Sequence, residues 1–336
     1  MASVAEHDRE LYFDDGNLVL LANASDGSTV YFRLHKGILV KHSTVFADML
    51  AMPAPPSLER YDGVPLVVMP DEAKALRELI ALLYDPQCIS SILEGEDFTL
   101  KMLGPTQLAK KYQVDWICKL VASQLQKQWP STIVGWTTIA KEEDETRWRA
   151  DYKSWTPEYP EDVSPRLRQL PEPVSSILLA RECDVPSIIP LAFLHLLRFP
   201  LEHDESDNPY TRDFYPWISP KRSLLLPSDW HRLAIARERI AKWFTGWGPN
   251  PANSWKDCGS GKRCEAITYR TWYNIAADIG RDGNALKVSS WVTKEPGDIC
   301  SACRFKLQTE VFRLIAQFFN KLDYFFQLKG DQQTGR

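Results

Sequence analysis

The sequence predicts an α+β protein: a small sheet flanked by helices over residues 10–130, then a mainly α-helical region over residues 131–330. Three observations carry this. Short β-prone runs rich in aliphatic and aromatic residues are confined to the first 70 residues. One of them, ending at Leu34, feeds straight into two very short helical patterns, Lys36–Lys41 and the turn after Ser43. From Asp71 onward, apolar residues recur at helical spacing, as at Leu76, Leu79, Ile80 and Leu83.

In order, Asp14-Asp15-Gly16-Asn17 is a turn signal. Leu18–Ala22 reads as a buried strand, Ala24–Ser28 as a hairpin loop and Thr29–Leu34 as the returning strand. Ile38 and Leu39 are the apolar contacts of the first short helix. Ser43 stands where an N-cap would start the second, whose inward residues read as Val45, Phe46, Met49 and Leu50. Met52–Pro65 is a proline-rich loop, Val64–Met69 a strand, and Asp71 the cap of a helix that Tyr84-Asp85-Pro86 stops. The polar stretch Ile89–Asp97 reads as a loop, and Phe98–Tyr112 and Val114–Trp129 as a helical pair.

Beyond Pro130, Ser131–Arg149 reads as a helix ending in a solvated charged run, Lys141–Glu145. Trp155–Pro173 holds five prolines and reads as a linker or wrapped loop, and Glu202–Pro220 as irregular. Pro173–Asp184 and Pro186–Phe199 form a helix pair, each with a proline in the first turn, where no donor is lost. Apolar residues surround the second helix, so His195 within it reads as a core histidine with one satisfied hydrogen bond. Trp230–Trp247 is amphipathic, carrying Leu233, Ala236, Ile240, Trp243 and Phe244.

The joint at Tyr31–Leu50 has a recognisable form: Phe32 at a strand end, His35-Lys36, then Leu39, Ser43 and Phe46, six positions at fixed spacing over 15 residues. It resembles the signature of the BTB/POZ fold. The run ILLARECDVPSIIPLAF also resembles the helical region that follows this domain in the BTB proteins abundant in mushroom-forming fungi. The resemblance implies a protein–protein interaction module that forms homo- or hetero-oligomers through the BTB domain. It acts either as an oligomerising scaffold or as an adaptor that brings substrates to a cullin ubiquitin-ligase scaffold. Cullin-binding members commonly carry a hydrophobic-x-Glu triplet in the loop corresponding to Met52–Pro65. Here the only glutamate is Glu59, preceded at two positions by Ser57. A docking role for this loop would leave Met49, Met52 and Leu58 exposed. The signature residues themselves read as fold builders, with His35 and Ser43 satisfying local backbone groups.

At 336 residues, 44% hydrophobic and 25% charged, the chain has the composition of a globular protein with room for two domains. A net charge of −4 and a pI of 5.9 give no reason to expect nucleic acid. The polar, acidic start is not a secretory or transit segment, and the most apolar window, Ile188–Leu201, is short and interrupted by Pro190, His195, Arg198 and Pro200. The expectation is an intracellular protein, in cytoplasm or nucleus, without a membrane partner. Seven cysteines fit a reducing compartment.

Four of them are patterned. Cys258 and Cys264 bracket five residues, and Cys300 and Cys303 form a CxxC directly before a helix expected over Arg304–Leu328. Two such pairs can supply four thiolates to one tetrahedral zinc, of structural role because no ligand position stays open. The competing reading is four reduced cysteines in a Trp-rich core. Cys88, Cys118 and Cys183 read as plain core residues. No enzyme signature holds. Gly259–Lys262 echoes a phosphate loop, but Lys256 stands where its first glycine belongs and Arg263 replaces the Ser/Thr. The alternative to an interaction module is an enzyme with an unrecognised site in the helical region, near Trp243–Trp255.

Overall fold

In the computed structural model, Leu18, Val19, Leu20 and Ala22 have no exposed surface, and the strand they form, β2 (Leu18–Asn23), lies at the centre of a five-stranded sheet. The structure describes residues 5–53, 59–95, 97–132, 134–136, 138–139, 170–199, 201, 220–246, 258, 262–282 and 299–328. The protein is of the α+β class, its strands gathered near the N-terminus and the remainder mainly helical. It divides into two compact units, Met1–Leu125 with Leu178–Val185, and Gln126–Ile177 with Pro186–Arg336.

In the first unit β3 (Thr29–Leu34) runs antiparallel to β2, and β5 (Val64–Glu72) runs parallel to it on the other side. A central strand is covered on both faces, which explains its unbroken aliphatic run. Outside these lie β1 (Ala5–Tyr12), parallel to β3, and β4 (Arg60–Tyr61), which pairs with Val64 and Pro65. The sheet curls until these two edges touch. His7 Nε2 lies 2.9 Å from the Tyr61 hydroxyl, Tyr12 donates to Asp62, and Tyr31 stacks on Tyr61 at 4.2 Å.

The polar start of the chain was not anticipated as β1. Its charges are satisfied from a helix: Arg77 donates to Asp8 at 2.9 Å and to Glu10 at 2.6 Å, leaving Leu11 as its buried apolar residue. The expected loop Met52–Pro65 instead contains a hairpin. Asp62 and Gly63 take φ of 50° and 77°, the left-handed pair of a tight two-residue turn.

Helices α1 (Lys36–His42) and α2 (Thr44–Ala51) follow β3 as expected, but of the four residues assigned inward on α2 only Phe46 is fully buried. Val45, Met49 and Leu50 are half-buried because so short a helix presents one residue per turn to the core. Helix α3 (Ala73–Tyr84) is capped by Glu72, which accepts from the Ala75 amide at 2.9 Å. Asp71, the expected cap, is still in β5 and pairs with Lys111 at 2.5 Å while accepting from Tyr112. Leu76, Leu79, Ile80 and Leu83 all face the core.

Where a loop was expected, α4 (Cys88–Glu94) forms, anchored by buried Ile89 and Leu93 one helical turn apart. The expected single helix Phe98–Tyr112 is two, α5 (Phe98–Lys101) and α6 (Leu103–Lys111). Pro105 has no N–H to give the Lys101 carbonyl, and the first helix ends at that residue. Helix α7 (Asp115–Gln128) buries Ile117, Val121 and Leu125.

In the second unit, α8 (Pro173–Glu182), whose last turns belong to the first unit, starts on Glu172. This carboxylate has no exposed surface and accepts from the amides of Val174 at 2.9 Å, Ser175 at 2.6 Å and Lys221 at 3.0 Å. Helix α9 (Ile189–Leu197) is buried almost all round, as expected. His195 is 4% exposed, among Trp129, Trp136 and Phe199, with the Arg198 guanidinium 3.4 Å from Nδ1. Burial, then that positive charge, holds its pKa well below the usual histidine value.

Helix α10 (Pro227–Gly246) turns Leu233, Ala236, Ile240 and Phe244 inward and packs along α11 (Lys262–Asp282), a helix not anticipated from the sequence. The expected helix Arg304–Leu328 breaks at Asn320–Lys321 into α12 (Ser301–Phe319) and α13 (Leu322–Phe325). The break lets Phe318 and Phe325 approach within 5.3 Å, with Trp243 beside both. The readings of Lys141–Glu145, of 155–169, of 202–219, of Leu58 and of Gly259–Gly261 lie outside the described residues. Among the described residues no helix is long and apolar enough to cross a membrane.

Candidate metal centre

Cys264 is the third residue of α11, so its thiol sits in the first turn of that helix. Cys300 is the N-cap of α12 and Cys303 lies in its first turn, the spacing that puts both CxxC sulfurs at one helix end. Cys258 joins them from the segment before α11. The four sulfurs lie within 4.8 Å of one another, with Cys258 Sγ and Cys300 Sγ 3.9 Å apart. Cys264 and Cys303 are buried, while Cys258 and Cys300 are half-buried.

All four proposed ligands therefore meet, although about 35 residues separate the pairs. The five-residue gap of the first pair is accommodated because Cys264 lies inside α11 rather than at a knuckle. No continuous apolar pattern announces that helix, because its inward stripe, Cys264, Thr268, Trp272, Ala276 and Ile279, passes through a polar threonine.

The electrostatics are those of a site that gathers negative charge. The Cys303 amide, then the Cys303 thiol, hold Cys300 down to about 7. The Cys300 amide, 3.5 Å from Cys264 Sγ, pulls Cys264 down, but burial and the thiols of Cys258 and Cys300 together leave it raised. Burial, then the thiols of Cys258 and Cys300, push Cys303 up. Without an ion, Cys300 is thus readier to lose its proton than Cys264 or Cys303, whose thiols are held protonated. A metal ion would displace those protons, because a thiolate and not a thiol is the ligand.

The signature residues lie elsewhere and build the joint between β3, α1 and α2. Phe32, Leu39 and Phe46 have no exposed surface, and Phe46 stacks on Tyr112 at 4.6 Å. Ser43 Oγ accepts from the Phe46 amide at 3.0 Å and donates to the Tyr112 carbonyl at 2.6 Å. The His35 ring was expected to satisfy local backbone. It instead reaches distant side chains, with Nδ1 3.0 Å from the Tyr84 hydroxyl and Nε2 3.1 Å from Asp15. The Lys36 amide donates to Asn17 Oδ1 at 2.8 Å. In the expected partner loop, Met52 is 66% exposed, Glu59 is exposed and Met49 is half-buried.

Cys88, Cys118 and Cys183 are not fully buried as core residues would be. Each is half-buried. No family model, curated protein or solved structure matches the chain.

Proposed function

We propose that the chain is a protein–protein interaction module of the BTB/POZ type, assembling through its N-terminal unit, with a helical region pinned by structural zinc. The observation that carries the reading is the joint at Phe32–Phe46. There the signature residues are held by Tyr112, Tyr84 and Asp15, so the short strand–helix–helix is a tertiary hub and not an isolated motif. Such a hub seats two short helices directly after β3 and leaves Val40 (41% exposed) and Met52 as apolar surface.

Zinc is the ion that the donor set favours. Four thiolates without an oxygen ligand suit a soft, tetrahedral ion, and sulfurs at zinc–sulfur bond length stand about 3.8 Å apart. The 3.9 Å pair already has that separation, and the widest would draw in by about 1 Å. Four protein ligands leave no place for water or substrate, so the ion's role is to join the starts of α11 and α12.

Between the two forms of assembly, Ser57 ahead of Glu59 favours an oligomerising scaffold over a cullin adaptor. Light scattering on the full-length protein tests this directly. The reading expects a particle of at least twice 38.5 kDa, dissociated by charge substitution at Met52. A monomer that also recovers neither a cullin nor another BTB chain from its own cell extract would end it. A monomer that recovers a cullin would move the assignment to the adaptor.

A further inference from the structure

The four sulfurs of the metal centre divide by depth. Cys264 and Cys303 are 0% and 2% exposed, each inside the first turn of its helix, while Cys258 and Cys300 are half-buried. Cys264 is held further, its sulfur accepting from the Cys300 amide at 3.5 Å. Cys258 and Cys300 stand outside the helices. One lies in the segment before α11, and the other is the N-cap of α12, with extended backbone (φ −62°, ψ 155°) and a side chain that caps no amide. Their sulfurs are 3.9 Å apart. A disulfide holds its sulfurs at about 2.05 Å, so closing this pair takes a movement of about 2 Å shared between two side chains.

Resting on the zinc reading above, we propose that Cys258 and Cys300 are an oxidation site: peroxide links them in a reversible disulfide, and the centre releases its zinc. Zinc keeps the sulfurs as thiolates, the nucleophilic form. Burial shields Cys264 and Cys303, so peroxide meets the half-buried pair first. One thiolate of that pair attacks a peroxide oxygen, the O–O bond breaks and hydroxide leaves, giving a sulfenic acid. The other thiolate attacks that sulfur, the S–O bond breaks and a second hydroxide leaves. Both hydroxides take protons from solvent and become water. Each of the two sulfurs loses one electron, and one peroxide gains two. The ion is left with Cys264 and Cys303, half of its ligands, and departs into water. The link holds the segment before α11 and not α11 itself, so oxidation unfastens the start of that helix from α12. A thiol such as dithiothreitol reverses the bond by exchange and restores the four-sulfur set.

The test uses the full-length protein purified with zinc. Its metal content is measured, hydrogen peroxide is added, and released zinc is followed with a chromogenic chelator. The protein is then alkylated and digested with trypsin without reduction. Cys258 falls on peptide 257–262, Cys264 on 264–270, and Cys300 with Cys303 on 295–304. The expected product is 257–262 joined to 295–304 through Cys300, with Cys264 and Cys303 alkylated and about one zinc lost per link formed. A link through 264–270, a bond within 295–304, or sulfinic or sulfonic acid in place of the link overturns the proposal, as does a link formed with the zinc retained. Amide exchange along α11 should quicken by roughly tenfold after oxidation and recover with reduction and zinc. Unchanged exchange with the link present would refute the unfastening. A chain that carries no zinc before peroxide ends the zinc reading and the proposal with it, whereas a loaded chain that fails a later step ends the proposal alone. Since the linkage is mapped in the unmutated protein, a variant that fails to fold cannot obscure it.

Discussion

Replacing Ser43 by Ala removes two hydrogen bonds made by one buried oxygen. Ser43 is 1% exposed, so water cannot substitute for either. The Phe46 amide, at 3.0 Å, loses the cap of α2, a loss of about 1 kcal/mol for a typical N-cap. The Tyr112 carbonyl, at 2.6 Å, loses a buried donor, which costs about 1–2 kcal/mol more. The two sum to about 2–3 kcal/mol, a large share of the stability of a unit this size. Native-state hydrogen exchange of core amides in β2 and β3 reads the opening free energy of that unit alone. Protection there should fall by about 30-fold or more, which is what 2 kcal/mol produces. Ser43→Gly should be milder by several tenths of a kcal/mol, since glycine is itself tolerated at an N-cap. If Ser43→Ala stayed within about 0.5 kcal/mol of the unmutated protein, the joint would not be the hub described, and the reasoning would fail.

Three further outcomes are expected. Protein purified with zinc present should carry about one ion per chain, and chelation or Cys303→Ser should lower the melting temperature of the helical region. Elemental analysis with calorimetry checks this, and metal-free protein of unchanged stability would contradict it. His195 is held neutral when folded, while in the unfolded chain it accepts a proton near 6.5. The unfolded state therefore binds more protons below that pH, and stability is lost as pH falls. The slope approaches about 1.4 kcal/mol per unit. Urea titrations between neutral and mildly acid pH should show a shallower decline for His195→Gln. Glu172→Ala should cost about 3 kcal/mol or more, because two buried amides and the half-buried amide of Lys221 lose their shared acceptor, whereas Glu172→Gln, which keeps an amide oxygen, should cost less. Chemical denaturation midpoints give the comparison.

Legibility followed chemistry. β2, β3 and α3 could be read because their apolar residues recur at strand or helix period and are buried for that reason. β1 could not, since its partners are charges: Asp8 and Glu10 meet Arg77, a pairing that no local period records. The Asp62-Gly63 turn was present as a signal, but prolines nearby gave the segment the look of a loop. The break at Lys101 was written in Pro105. The four clustered cysteines stood out by type and spacing alone, while their convergence depended on α11, whose stripe runs through a cysteine and a threonine. The place of Leu178–Val185 in the first unit left no trace, because nothing local marks a segment that joins earlier residues only at the end of a later helix.

That late arrival has a consequence during synthesis. Leu178–Val185 belongs with the first unit, yet the ribosome delivers it long after α7 has emerged. At roughly 5–20 residues per second the delay is about 3–10 s, far longer than the time in which a helix or hairpin forms. For that interval the nascent first unit is missing its last piece. A chaperone acting on this chain would therefore have its window between the emergence of α7 and that of α8, and a pause in translation there would lengthen it.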